Sequence, residues 1–89
     1  MKSMEQIKER ARELDLLMVV VEGTIIFKHK YQSLSINVGN KYIVANIDNT
    51  LIGTGIKVIG QALIDLYDLA KDTQELINAN PNILKGELW

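Results

Sequence analysis

The chain has 89 residues, a net charge of −1, a hydrophobic share of 47% and no cysteine. That length sets a single domain over residues 1–89, and the apolar share supplies a core without disulfides. The lack of cysteine excludes a thiolate nucleophile and a Cys-ligated metal, and the near-neutral charge argues against general attraction to nucleic acid.

In chain order, Ser3 followed by Gln6 fits a capping box and opens a first helix. Met4, Ile7, Ala11 and Leu14 fall on one face of it, and charged residues fill the rest. The spacing Ile7, Ala11, Leu14, Met18, Val21 admits a helix as far as Gly23, but Val19-Val20-Val21 is a β-branched run that favours a strand. The reading favoured is a helix to about Leu14 or Asp15, then extended chain, with Gly23 as a bulge or a tight turn. Strand continues over residues 24–28, and Lys28-His29-Lys30-Tyr31-Gln32 forms a polar connection.

The segment from Leu34 to Ile47 reads as a β-hairpin closed by Gly39-Asn40, two residues that tolerate the positive φ of a tight turn. That turn sets Val38 opposite Lys41 and Ile36 opposite Ile43. One face then carries Leu34, Ile36, Val38, Ile43, Ala45 and Ile47; the other carries Ser33, Ser35, Asn37, Tyr42, Val44 and Asn46. Such a sheet packs on helices from one side and shows the other to water or a partner. After the turn cluster Asp48-Asn49-Thr50, a second long helix starts at Thr54 or Gly55. Its buried stripe is Ile59, Ala62, Leu63, Leu66, Leu69, Ala70, Thr73, Leu76 and Ile77. Gly60 is expected to allow close approach to the sheet. Pro81 sets the end just before Asn80, with a break near Asp72 also open. The expected fold is α+β in the order α-β-β-β-α(-α). It has a three-stranded antiparallel sheet, four-stranded if residues 16–21 and 24–28 separate, with helices packed on one face.

Chemistry-bearing patterns are few. His29 is the sole histidine and reads as an exposed loop residue. Gly53-Thr54-Gly55 precedes a helix but lacks the lysine and third glycine of phosphate-binding loops, so it reads as a helix-start turn. No catalytic, cofactor or metal residue is assigned. Asp65, Asp68, Asp72 and Glu75 run at helical spacing along one side of the second helix, flanked by Ile64 and Tyr67. The bland meaning is a solvated face; the sharper one is an acidic strip that meets a basic groove on another protein. Arg10, Arg12, Lys28, Lys30 and Tyr31 form a basic patch only if helix and loop meet in space. Trp89 either seals the core with the tail or anchors a partner. The start lacks the apolar stretch of a signal peptide and no run is long enough to span a bilayer, so a cytoplasmic protein is expected.

The α–β–β–β–α order with Ile52-Gly53-Thr54-Gly55 before the last helix resembles the double-stranded-RNA-binding domain, although Ile56-Lys57-Val58-Ile59-Gly60-Gln61 holds one lysine where that family has a cluster. Residues 42–47, Thr54 and Gln61-Ala62-Leu63-Ile64-Asp65-Leu66 are similar to the strand-to-helix passage of HicB-like antitoxins. The whole chain, ending in Leu84-Lys85-Gly86-Glu87-Leu88, resembles small Gram-positive prophage proteins, among them anti-CRISPR inhibitors of the Cas effector nuclease. That resemblance implies a non-enzymatic inhibitor of a host defence complex. Asp65, Asp68, Asp72 and Glu75 would then face the partner's nucleic-acid groove. The partner is expected to be a host or phage protein, with no membrane contact, no tight nucleic-acid binding, and a homodimer left open.

Overall fold

The computed structural model describes residues 1–21, 23–47 and 56–82. The architecture is α+β in two layers, a four-stranded antiparallel sheet with both helices on one face. The elements run α1 (Met4–Glu13), β1 (Leu16–Val21), β2 (Thr24–His29), β3 (Leu34–Val38), β4 (Ile43–Ile47) and α2 (Ile56–Ala79), and the strands stand in the order β1-β2-β3-β4. The expected three strands are therefore four. Gly23, at φ 76°, reverses the chain so that Val21 pairs with Thr24, and residues 16–21 and 24–29 separate into a hairpin. The order α-β-β-β-β-α thus has one strand more than the double-stranded-RNA-binding domain.

The capping box forms as read: Gln6 N–H donates to the Ser3 hydroxyl at 3.2 Å, and Ser3 N–H donates to the Gln6 side chain at 2.9 Å. At the other end of α1, Asp15 takes the left-handed conformation at φ 58°. Its N–H donates to the Arg12 carbonyl, and its own carbonyl accepts from Lys30 N–H at 3.0 Å. One left-handed residue after the helix ends α1 and aims the chain into the sheet, so the β-branched run becomes β1 rather than a longer helix.

The hairpin of β3 and β4 keeps its predicted faces but not its predicted pairs. Val38 stands opposite Ile43, Ile36 opposite Ala45 and Leu34 opposite Ile47. Gly39 N–H donates to the Tyr42 carbonyl, so Asn40 and Lys41 are the central residues of the turn. The register has moved by two residues. A slip of two preserves the alternation, whereas a slip of one would have turned the oily set outward. The cause is Tyr42. Its ring lies so close over Gly39 that a Cβ there would overlap it, and its hydroxyl hydrogen-bonds the Thr24 hydroxyl. Gln74 of α2 locks the turn from the helix side, its Nε2 donating to the Gly39 carbonyl at 3.2 Å and the Tyr42 carbonyl at 3.5 Å. Gly39 serves this ring rather than a positive φ, which only Asp15 and Gly23 adopt among the described residues.

The core lies between sheet and helices. Ile7 and Ala11 of α1 meet Leu16, Ile25, Phe27, Leu34, Ile36 and Val38 of the sheet and Leu66, Leu69, Ala70, Leu76 and Ile77 of α2. Thr73 is buried within that stripe and satisfies its hydroxyl on the Leu69 carbonyl at 2.7 Å. The helix α2 runs without a break to Ala79, so neither the interruption near Asp72 nor a second C-terminal helix within residues 56–79 forms. No close approach occurs at Gly60, where a Cβ would meet nothing within 4 Å. The Asp48-Asn49-Thr50 cluster, the Gly53-Thr54-Gly55 turn, the Ile59 side chain and the tail with Trp89 lie outside the described residues. No helix among the described residues is long and apolar enough to cross a membrane.

Candidate functional site

Among the described residues, three surfaces carry exposed or concave chemistry. The first is the outer face of the sheet. Strand alternation sends Leu17, Val19 and Val21 of β1, Ile26 of β2, and Tyr42 and Val44 toward the side without helices. Leu17, Val19, Val21, Tyr42 and Val44 are 42% to 50% exposed there. In the central row Val19, Ile26, Asn37 and Val44 stand side by side. Lys28 is the one charge that the described strands place on this face, and it borders a hollow of about 330 Å³ with Ser35 and Asn46. The face is therefore apolar along the β1 edge and at Ile26, Tyr42 and Val44, with Ser35 and Asn37 of β3 polar between them.

The second surface is the exposed side of α2. The four predicted acids differ in partners and exposure. Asp72 pairs with Lys2 at 3.2 Å, and Asp65 lies 4.0 Å from Arg10 while accepting from Gln61 Nε2 at 3.1 Å. Both are drawn toward α1. Asp68 and Glu75 face solvent and make no ion pair with a described residue, and Ile64 and Tyr67 are exposed near them. The helical period accounts for the split, because Asp65 and Asp72 are seven residues apart and project over the α1 flank, while Asp68 and Glu75 point further round. Arg10 and Arg12 are likewise engaged, with Glu13 at 3.1 Å and Glu9 at 2.8 Å, so the basic patch is interleaved with acids.

The third is a cavity of about 470 Å³ between the end of α1, the start of β1 and the first turns of α2. Leu14, Leu16, Ala62 and Leu66 form its apolar lining, and His29, Gln32, Gln61 and Asp65 its polar one. The sequence expectation for His29 is an exposed loop residue. It is instead the last residue of β2, half-buried, and its Nδ1 accepts from Tyr31 N–H at 3.1 Å. The signal was available: the inward alternation of Ile25 and Phe27 continues to residue 29. Among the described residues that line it there is no serine, threonine or lysine. No cluster of three or more His, Asp or Glu able to hold a metal occurs among the described residues.

Comparison of the chain with protein-family profiles, with curated proteins and with solved structures returned no match.

Proposed function

We propose that this chain is a non-enzymatic protein-binding module whose docking surface is the outer face of the sheet. One observation carries the reading, the exposure of five large apolar side chains on a face that no described helix covers. Four strands about 4.8 Å apart and five residues of about 3.3 Å each give the whole face roughly 300 Å², with the apolar side chains covering part of it, at the lower end of the size of the largest patch on a monomer. The resemblance to small prophage inhibitors supplies the finer version, in which the partner is a host defence complex such as a CRISPR-Cas effector. The four-stranded order favours this reading over a double-stranded-RNA-binding one.

A second reading places the interface on α2. It is supported by Asp68 and Glu75, the two acids without ion pairs to described residues, and by the exposed Ile64 and Tyr67 beside them.

The test uses the purified chain as bait in a Gram-positive lysate and as an additive to target-DNA cleavage by a purified Cas effector nuclease. Val44→Lys with Asn46→Lys should abolish capture while the melting curve is kept, and Asp68→Lys with Glu75→Lys should leave capture intact. The reverse pattern would move the interface to α2. Cleavage unaffected at saturating protein would remove the Cas effector as the partner.

A further inference from the structure

We propose that two copies of this chain join antiparallel through β1, continuing the sheet across a two-fold axis near Met18 and Val19. β1 is a terminal strand of the sheet, and its sequence Leu-Leu-Met-Val-Val-Val has no charge, proline or glycine. It pairs with β2 at all six positions, so no bulge twists it away. Charge, proline and bulges are the devices that keep an open edge from pairing, and β1 has none of them.

The bond from Lys30 N–H to the Asp15 carbonyl sets the phase of the β1–β2 ladder. Antiparallel alternation then gives the ladder bonds to Leu17, Val19 and Val21 and turns the main-chain groups of Leu16, Met18 and Val20 outward. No described strand meets them. What they require is an extended apolar segment with main-chain groups at the same alternation, and β1 itself is such a segment. Antiparallel pairing of identical strands is isologous and closes at two, whereas pairing β1 with the β4 edge of another copy would be head-to-tail and open-ended.

The helix α1 lies over β1 and against α2, its α2-facing flank marked by Arg10 beside Asp65. The opposite flank carries Lys8 and, further toward solvent, Arg12, Glu5 and Glu9. A two-fold axis runs the second α1 antiparallel to the first, each copy carrying charges of both signs on its exposed side. The net charge of −1 offers little resistance to self-association. This inference concerns the edge rather than the face, and Val44 stays open in both copies, so it stands or falls separately from the proposed docking function.

Sedimentation velocity of the purified chain over a micromolar concentration range tests it, with circular dichroism to confirm folding. The wild type should run at twice its 10.0 kDa mass. Met18→Pro removes one outward N–H without touching the β2 ladder, and Val19→Lys brings two like charges together near the axis. Each should raise the dimer dissociation constant roughly tenfold or more. Val44→Lys should leave it unchanged. Amide exchange at Met18 and Val20 should slow as concentration rises, which packing of two outer faces would not produce. If Met18→Pro unfolds, Val19→Lys decides. A wild type monomeric throughout the range, or a dimer that survives Val19→Lys, would overturn the proposal.

Discussion

Gly39 offers the sharpest test of why the hairpin has its observed register. Its φ lies outside the left-handed region, so the backbone accepts alanine, but the new Cβ would overlap the Tyr42 ring. The ring must swing away. That breaks the hydroxyl bond between Tyr42 and Thr24, at about 1 kcal/mol. It also returns to water about 40 Å² of apolar surface, worth roughly 1 kcal/mol more. Gly39→Ala should therefore cost about 2 kcal/mol, or roughly 8–16 °C of melting temperature in a domain of this size. Tyr42→Ala removes the same contacts and should cost a similar amount. With Tyr42 already truncated, adding Gly39→Ala should cost nothing, or stabilise by about 0.5 kcal/mol through the unfolded chain. Urea and thermal denaturation of the four proteins close a double-mutant cycle with an expected coupling of about 2 kcal/mol. An equal penalty for Gly39→Ala in both backgrounds would show that the turn's backbone, not the ring, demands glycine, and the reasoning would fail.

Other outcomes follow from burial, capping and charge. Ile36→Asp places a charge at a position with no exposed surface and should cost more than about 4 kcal/mol. Ser35→Asp, on the opposite face beside Lys28, should stay within about 1 kcal/mol by urea titration. Ser3→Ala removes the acceptor of the capping box and should cost about 1 kcal/mol, read as a lower midpoint with unchanged slope. A gel shift with duplex DNA or RNA at physiological salt should show no submicromolar binding, since the chain carries a net charge of −1; a tight, salt-sensitive shift would restore the double-stranded-RNA-binding reading.

The acidic strip shows how packing changes the design of an experiment. Sequence spacing treats Asp65, Asp68, Asp72 and Glu75 as equivalent. Folding sets Lys2 against Asp72 and Arg10 near Asp65, so lysine at either position introduces repulsion inside the protein as well as at a partner. Asp68→Lys and Glu75→Lys make the cleaner variant, since exposed charges without partners contribute little to stability.

Local rules sufficed for much of this protein. The Ser3–Gln6 box, the apolar period of α2, the stop before Asn80 and the two faces of β3 and β4 are each decided by residues a few positions apart, and periodicity records such neighbours directly. Other features depend on distant residues as well. Residues 19–21 became strand because Asp15 could turn left-handed and find Lys30 across the sheet. The turn moved to Asn40-Lys41 because the Tyr42 ring found Gly39 and Thr24, and because Gln74, over thirty positions along the chain, bound the turn carbonyls. The acids of α2 were sorted by where α1 came to lie. A helical or strand period says which side of an element a residue occupies; only the packed chain decides what that side meets.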